Sequence, residues 1–316
     1  MVNLQNIRDA DARICNRIVR TPVMTSTTLD RLTGCHVFLK CENFQRVGAF
    51  KFRGALNTVS QLSSAERGRG VIAHSSGNHA QALALAASME GVKATIVMPT
   101  NSPQVKVNAT RDYGADIVFC ENSSEERVTV ANALIEKHNY TLVHPYDDER
   151  IIAGAGTCAL ELIEDVESVD YMFAPVGGGG LLSGTSIATK GLCPETTVIG
   201  VEPEKADDAY RSFKAGKIFP SIYPETIADG LRTQLSELTF TVIQKNVDDI
   251  ITVSEKEIID GMRFLWTRMK MVVEPSGAVS LAGFIKMKDE ITDKRVGIII
   301  SGGNIDLTDF FEKYAH

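Results

Sequence analysis

Residues 171–190 read YMFAPVGGGGLLSGTSIATK, and this stretch decides the fold class of the chain. The apolar run 171–176 is typical of a buried strand, and the residues after the four glycines are typical of a helix. Similar strand and helix patterns alternate along the chain, among them VIAHSS with HAQALALAASMEG, ATIVMP with VKVNATRDYG, and DIVFC with SEERVTVANALIEKH. Strands that alternate with helices build parallel sheets, so we predict an α/β fold with helices on both faces of its sheets.

The composition excludes two classes of partner. The chain of 316 residues is 44% hydrophobic and carries 33 Lys and Arg against 40 Asp and Glu, a formal net charge of −7. Because no basic run is present, no nucleic acid is expected as a partner. No apolar run approaches the roughly 20 residues that span a bilayer, so we expect no membrane insertion and a cytoplasmic location. The six cysteines lack CxxC spacing and are expected to be reduced thiols.

The glycine turn within 171–190 suits a phosphate group. Its members are Gly177, Gly178, Gly179 and Gly180. Consecutive glycines let backbone N–H groups converge on one point, and the following helix adds the positive end of its dipole. Two other interpretations stay open. The turn could be a tight strand-to-helix connection, or a dinucleotide-binding loop in which Gly184 completes an imperfect GxGxxG and Glu202 binds a ribose.

A second stretch, GAFKFRGA at 48–55, sets Lys51 between Phe50 and Phe52. An amine held against an apolar wall has a lowered pKa and becomes a nucleophile. The alternative interpretation is an ordinary surface lysine, because most lysines keep their amine in water and bury only the stem of the side chain.

Two further polar turns follow predicted strands. The turn SSGNH at 75–79 suits a carboxylate, or serves only as a helix N-cap, and the turn SGGN occupies 301–304. Because ligands gather at the carboxyl ends of parallel strands, the three turns are expected to face one cleft. An amine nucleophile, a phosphate cradle and a carboxylate cradle together indicate pyridoxal 5'-phosphate, an aldehyde cofactor that condenses with lysine and then with an amino acid.

Eight motifs add a family resemblance. They are FLKCENFQRVGAFKFRGA, SSGNHAQALA, HPYDDERIIAGAGT, GGGGLLSG, VEPEKADDAYRS, TIADGL, VEPSGA and SGGN, in this order. The chain resembles the fold-type II pyridoxal phosphate enzymes, and most closely the serine racemase and serine/threonine dehydratase family. The resemblance implies a fold like that of the tryptophan synthase β subunit, with two open, parallel-rich sheets. It also implies a large cofactor-binding domain formed by residues 1–69 and 148–316, and a small mobile domain formed by residues 70–147.

The resemblance assigns cofactor contacts to individual residues. Lys51 would carry the cofactor in covalent linkage, Phe50 would pack against its ring, and the four glycines would hold its phosphate. Asn78 would bond the ring hydroxyl, and Ser301 would face the pyridine nitrogen. A neutral serine does not favour a protonated ring, so the cofactor would be a milder electron sink, suited to elimination or proton exchange.

Further residues would bind the substrate and move its proton. The substrate carboxylate would rest on Ser75, Asn78 and His79, with Arg127 as a cationic clamp. Lys51 would abstract the α-proton on one face of the cofactor, and Ser76 would act as the acid on the opposite face during racemisation.

The stretch VEPEKADDAYRS resembles the divalent-cation site of the family. Glu202 and Asp208, with the carbonyl of Ala206, would bind Mg²⁺ or Ca²⁺, because these ions prefer oxygen ligands. Without the resemblance, two acids six residues apart are most often surface charge.

The function expected from the resemblance is serine racemase with L-serine and L-threonine dehydratase activity, giving D-serine, pyruvate or 2-oxobutanoate, and ammonia. Small hydroxy amino acids are the expected substrates, and a homodimer is the expected assembly. The resemblance also allows a nucleotide activator, about which the residues themselves are silent. The alternatives are a threonine dehydratase or 3-hydroxyaspartate dehydratase without racemase activity, a β-replacing relative such as cysteine synthase or threonine synthase, and, from another class, an NAD-binding oxidoreductase.

Overall fold

A computed structural model describes residues 1–314 as two sheets covered by helices. The strands are β1 (Val23–Met24), β2 (His36–Cys41), β3 (Val71–His74), β4 (Ala94–Pro99), β5 (Asp116–Cys120), β6 (Thr141–Leu142), β7 (Tyr171–Pro175), β8 (Thr197–Pro203), β9 (Asp249–Val253) and β10 (Arg295–Ile300). One sheet has the order β1-β2-β10-β7-β8-β9 and the other has the order β5-β4-β3-β6. All pairs are parallel except β1 with β2. The predicted α/β class with two parallel-rich sheets is confirmed.

Helices flank both sheets. They are α1 (Leu4–Ile14), α2 (Thr27–Thr33), α3 (Lys51–Val59), α4 (Ser64–Arg69), α5 (Asn78–Met89), α6 (Gln104–Asp112), α7 (Ser124–His138), α8 (Glu149–Val166), α9 (Gly180–Leu192), α10 (Asp208–Ala215), α11 (Glu237–Asn246), α12 (Glu255–Phe264), α13 (Pro275–Met287) and α14 (Leu307–Tyr314). Within residues 1–314, no helix combines the length and the apolar character needed to cross a bilayer. All six cysteines are free thiols, as expected.

The central strand of the larger sheet is β10, which pairs with β2 on one side and β7 on the other. Ile298 lies opposite Leu39 of β2 and Phe173 of β7, and all three side chains are buried. A parallel strand with both faces covered needs a continuous apolar run, which explains the sequence VGIII within β10. The carboxyl end of β10 leads directly into the turn 301–304.

Helices α3, α8 and α9 pack closely because glycines stand at their crossings. A Cβ on Gly154 of α8 would lie 2.7 Å from the carbonyl oxygen of Arg53, and a Cβ on Gly54 would lie 2.9 Å from that of Ile151. A Cβ on Gly184 of α9 would lie 2.5 Å from the carbonyl oxygen of Ile152. These backbone contacts leave no room for larger residues and hold α3 and α9 against the same central helix.

A charge network lies beneath the first turn of α3. The guanidinium of Arg53 donates to Glu42 at 2.7 Å and to Glu161 at 2.7 Å, and Lys40 donates to Glu161 at 2.6 Å. All four side chains are buried, and their formal charges cancel. Paired charges with several hydrogen bonds each tolerate burial, whereas a single unpaired charge would not.

The smaller sheet is formed entirely by strands between Val71 and Leu142. All of these strands fall within residues 70–147, and the division of the chain into two domains stays a prediction. The motion of that segment as a separate domain stays a prediction.

Candidate active site

The cleft begins where β10 ends beside the start of α3. Ala49 and Gly302 form an antiparallel bridge, and the N–H of Phe50 donates to the carbonyl of Ser301 at 3.0 Å. The N–H of Gly303 donates to the carbonyl of Gly48 at 2.9 Å. These bonds place Lys51, the first residue of α3, at the carboxyl end of the central strand.

The half-buried amine of Lys51 lies beside one aromatic ring and one carbonyl. It donates to the carbonyl oxygen of Pro145 at 2.7 Å and lies 5.1 Å from the ring centroid of Phe50. Burial lowers the pKa of Lys51 to about 8, because a desolvated ammonium is less stable than a neutral amine. Phe52 is fully buried in the core packed between α3 and the smaller sheet. The expectation of two flanking phenylalanines is therefore corrected, since successive helix residues point in different directions.

Asn78 connects the turn after β3 with the turn after β10. Its Oδ1 accepts from Asn304 Nδ2 at 2.9 Å, and its Nδ2 donates to Glu274 Oε1 at 2.7 Å. Glu274 is buried just before α13, and burial together with the charge of Asp229 raises its pKa to about 8. The structure therefore brings the predicted turns 75–79 and 301–304 into direct contact.

The other residues of the turn 75–79 lie at the start of α5. Ser75 Oγ accepts from the N–H of Gly77 at 3.4 Å, and Ser76 is partly exposed. The ring of His79 is buried with Nε2 2.8 Å from the carbonyl oxygen of Val143, and burial lowers its pKa to about 3. The imidazole is neutral and turned toward Val143, so contact of His79 with a carboxylate would use its backbone N–H at the helix N-terminus.

Arg127 lies on α7, near the carboxyl end of β3. Burial lowers the pKa of His74, the last residue of β3, and the positive charge of Arg127 lowers it further. The ring of His74 makes an edge contact with the ring of His144, with centroids 6.2 Å apart. The cation is thus close to the residue that precedes the turn 75–79, at the end of the sheet where that turn lies.

The glycine turn is held between two parts of the chain. A Cβ on Gly178 would lie 2.3 Å from the ring of Tyr146, and a Cβ on Gly177 would lie 2.9 Å from Cα of Leu231. Gly179 has φ +88°, which favours glycine. Tyr146 adjoins Pro145, the partner of Lys51, so the turn 177–180 belongs to the same cleft. Burial raises the pKa of Tyr146 to about 12, and Asp147 and Asp208 add to the rise.

These residues fit pyridoxal 5'-phosphate. The start of α9 offers orphan N–H groups without side chains to obstruct a phosphate, and Lys51 offers an amine whose pKa is lowered toward neutrality. Ser301 is buried at the end of β10, where its Oγ donates to the carbonyl of Ser276 at 3.3 Å. A hydroxyl can both donate and accept, so it suits a ring nitrogen.

The acidic pair lies at the carboxyl end of β8. Glu202 accepts from the N–H groups of Ala209 at 3.0 Å and Tyr210 at 2.7 Å, at the start of α10. Both carboxylate oxygens of Asp208 are buried without a hydrogen-bond partner among residues 1–314. Burial raises the pKa of Asp208 to about 6 and, with the charge of Asp208, raises that of Glu202 well above its usual value.

Two neighbouring buried acids, one of them with carboxylate oxygens that lack a hydrogen-bond partner, fit a divalent metal ion. Within the described residues, no group of three or more His, Cys, Asp and Glu side chains is arranged for a metal. An ion at this position would therefore need the carbonyl of Ala206 and water as further ligands. The bonds of Glu202 to α10 also disfavour its alternative role as a ribose-binding acid.

Sequence reasoning missed several residues of the cleft. Glu274, Asn304 and Tyr146 lay within the quoted motifs VEPSGA, SGGN and HPYDDERIIAGAGT, but none of them was given a role. A buried acid before a helical proline was the one signal that could have singled out Glu274.

Comparisons with known proteins identify the family of this chain. The family model described as "Pyridoxal-phosphate dependent enzyme" matches residues 14–302. The chain is 51% identical to an L-threo-3-hydroxyaspartate ammonia-lyase of Pseudomonas, over 94% of this chain and 92% of that protein. It is 47% identical to the serine racemase of Schizosaccharomyces pombe, over 98% of this chain and 95% of that protein. The crystal structure of serine racemase from Dictyostelium discoideum superposes with a TM-score of 0.93 at 47% identity, covering 97% and 99% of the two chains. The chain belongs to the family of pyridoxal-phosphate-dependent enzymes that these racemases and ammonia-lyases represent.

Proposed function

We propose that this protein is an ammonia-lyase for small β-hydroxy amino acids, L-serine and L-threonine, and that it also racemises serine. The observation that carries the proposal is the environment of Lys51. Its amine has a lowered pKa and stands between the turn 75–79, the turn 177–180 and the end of β10. When bound, pyridoxal 5'-phosphate supplies an aldehyde for the amino group of the substrate and a ring that accepts negative charge.

The residues of this chain divide the remaining tasks. Ser75, Asn78 and the backbone N–H of His79 hold the substrate carboxylate, with the charge of Arg127 nearby. Lys51 removes the α-proton, for which a pKa of about 8 is well matched to neutral solution. Loss of the β-hydroxyl then leads to pyruvate, or to 2-oxobutanoate from threonine, with ammonia. Ser76 returns a proton on the opposite face when serine is racemised.

A substrate with a second carboxylate is the other candidate. The Pseudomonas relative, at 51% identity, is a 3-hydroxyaspartate ammonia-lyase, and the Schizosaccharomyces relative, at 47%, is a serine racemase. Arg127, with His74 at the end of β3, could serve an additional carboxylate. This candidate uses Lys51 and the same residues around the substrate carboxylate as the first candidate function, and it differs only in the substrate.

One comparison of substrates tests both candidates. L-serine, L-threonine and L-threo-3-hydroxyaspartate are supplied to one preparation with Mg²⁺, and keto acid, ammonia and D-serine are measured. We expect keto acid from all three and D-serine from L-serine. A preference for 3-hydroxyaspartate above about a hundredfold in kcat/KM would favour the second candidate.

Variants separate the roles. Lys51→Ala is expected to abolish every product, and continued keto acid release by it would refute the mechanism. Ser76→Ala is expected to abolish D-serine formation while keeping some elimination, whereas equal loss of both would give Ser76 a binding role only. Ser63→Ala, at the exposed start of α4, is the matched control and should change neither product.

The same proposal includes five further properties. A divalent cation, Mg²⁺ or Ca²⁺, binds Glu202, Ala206 and Asp208, which the orphaned oxygens of Asp208 support. Residues 70–147 move as a small domain, which their own four-stranded sheet supports. A homodimer and any response to a nucleotide are expected from the resemblance alone. A cytoplasmic location is expected from the sequence, which has no apolar run long enough to span a bilayer.

A further inference from the structure

A chain of three polar side chains crosses the cleft beside Lys51. Asn304 Nδ2 donates both to the carbonyl of Val47 at 2.6 Å and to Asn78 Oδ1 at 2.9 Å. Asn78 Nδ2 then donates to Glu274 Oε1 at 2.7 Å. The three side chains come from the start of α5, the segment before α13 and the turn after β10, so they join distant parts of the sequence.

The donors and acceptors in this chain permit one orientation of the Asn78 amide. A side-chain amide has two N–H donors on one end and an acceptor on the other. Both N–H groups of the Asn304 amide donate, one to Val47 and one to Asn78. The oxygen of Asn78 must therefore face Asn304. The nitrogen of Asn78 then faces Glu274, which accepts one N–H and leaves the second for an acceptor in the cleft.

The absence of a side chain on Gly302 leaves the space that the Glu274 carboxyl occupies. A Cβ on Gly302 would lie 2.4 Å from Glu274 Oε1 and 3.2 Å from the Cβ of Ala49. Glu274 precedes Pro275 at the start of α13, where its side chain makes no capping bond to the helix. Glu274 is 4% exposed, and its Oε1 accepts a hydrogen bond from Asn78 Nδ2.

We propose that Glu274 is a positioning residue that holds the Asn78 amide with one N–H directed at the ring hydroxyl of the cofactor. The inference rests on the role proposed above for Asn78. In this role an oxygen of Glu274 accepts a hydrogen bond from Asn78. The shape of the Glu274 side chain therefore matters, and its charge does not.

The test compares four variants of the purified holoenzyme. Glu274→Ala removes the acceptor, Glu274→Gln keeps an oxygen of the same reach, and Gly302→Ala displaces the carboxyl without deleting it. Ser254→Ala, which removes a cap of α12 outside the cleft, is the control for lost stability alone. The readouts are the visible absorption spectrum of the bound cofactor, its dissociation rate on dilution, and kcat and KM measured separately.

We expect Glu274→Ala and Gly302→Ala to change the spectrum and to raise the dissociation rate about tenfold, the effect of one lost hydrogen bond. Glu274→Gln should stay within about threefold of the unmodified protein, and Ser254→Ala should match it. Equal damage by Glu274→Gln and Glu274→Ala would overturn the inference, because the proton or charge would then matter. A normal spectrum and dissociation rate for Glu274→Ala would overturn it as well.

Asn78→Ala, alone and combined with Glu274→Ala, separates this inference from the proposed function. If both residues act through one hydrogen bond to the cofactor, the double variant should be no worse than Asn78→Ala alone. Additive losses would refute the link between them. If Asn78→Ala leaves the spectrum unchanged, the role proposed for Asn78 fails, and the positioning role of Glu274 fails with it.

Discussion

The amine of Lys51 lies 2.7 Å from the carbonyl oxygen of Pro145, a residue 94 positions further along the chain. The contact joins the start of α3 to the segment between β6 and α8. Pro145 cannot donate a backbone hydrogen bond, so its carbonyl is the group it offers to the cleft. The amine therefore lies beside the Phe50 ring and one carbonyl oxygen, and burial lowers its pKa.

The first prediction concerns the titration of Lys51 in protein freed of cofactor. Labelling by an amine-directed reagent, mapped by mass spectrometry, should show a midpoint near pH 8 at Lys51 rather than the 10.5 of a free lysine. Phe50→Ala, which opens the enclosure to water, should move the midpoint toward 10.5. A midpoint of 10.5 in the unmodified protein would contradict the enclosed amine.

The lowered pKa of Lys51 also has a consequence for the stability of the protein. Because the pKa in the folded chain is below that of the unfolded chain, the folded state binds fewer protons between about pH 8 and 10.5. The free energy of unfolding should therefore gain a contribution from Lys51 as the pH rises across this interval. Urea unfolding of Lys51→Met should lack this contribution, and an identical pH profile for the two proteins would argue against it.

The second prediction concerns Gly178 and Tyr146. Gly178→Ala should weaken cofactor binding, because the new methyl group would lie 2.3 Å from the Tyr146 ring. Tyr146→Ala in the same chain should restore part of the affinity by making room. Gly68→Ala on α4, where the structure leaves open space, is the control and should bind normally. Fluorescence titration with pyridoxal 5'-phosphate measures all four proteins.

The third prediction concerns the acidic pair. Adding MgCl₂ or CaCl₂ should raise the melting temperature of the protein, because a cation bound only to the folded state stabilises it. Asp208→Asn and Glu202→Gln should lose this response. Asp208→Asn should also melt higher than the unmodified protein in the presence of EDTA, since it removes a buried carboxylate whose charge acts on Glu202. An unchanged melting temperature at millimolar cation would contradict the site.

The fourth prediction concerns the buried charges beneath α3. Glu161→Gln leaves Arg53 and Lys40 with one carboxylate fewer and should lower the free energy of unfolding by about 3–5 kcal/mol. Arg20→Met, which breaks an exposed pair with Glu164 and Asp165 on the same helix α8, should cost about 0–1 kcal/mol. Chemical denaturation measures the free energy of unfolding of both variants. Equal losses of this free energy would show that burial does not distinguish the buried charges from the exposed pair.

Much of the fold could be predicted because local patterns carry it. The apolar runs of β3, β4, β7 and β10 were anticipated from the sequence, as were the helices that follow the first three of these strands. Strand β2 was not singled out, since Lys40 is a charged residue of the kind that usually marks a surface. Its burial depends on Glu161, which is 121 positions away and cannot be inferred from a local pattern.

The dinucleotide-binding alternative for the glycine turn illustrates a second limit of prediction from the sequence. The spacing of glycines describes the backbone of the turn, and both a phosphate of pyridoxal and a pyrophosphate suit such a backbone. Family membership decides for pyridoxal phosphate. The bonds of Glu202 to Ala209 and Tyr210 agree, because they give this acid a position at the start of α10.

The sequence by itself determined the alternation of strands and helices, the glycine turn 177–180, and a lysine suited to nucleophilic chemistry. These properties follow from residues that are neighbours in the chain, so they can be inferred without coordinates. The tertiary structure decided which groups surround that lysine. Asn78 meets Glu274 across 196 residues and Asn304 across 226, and only the packing of both sheets brings such distant side chains within hydrogen-bond reach.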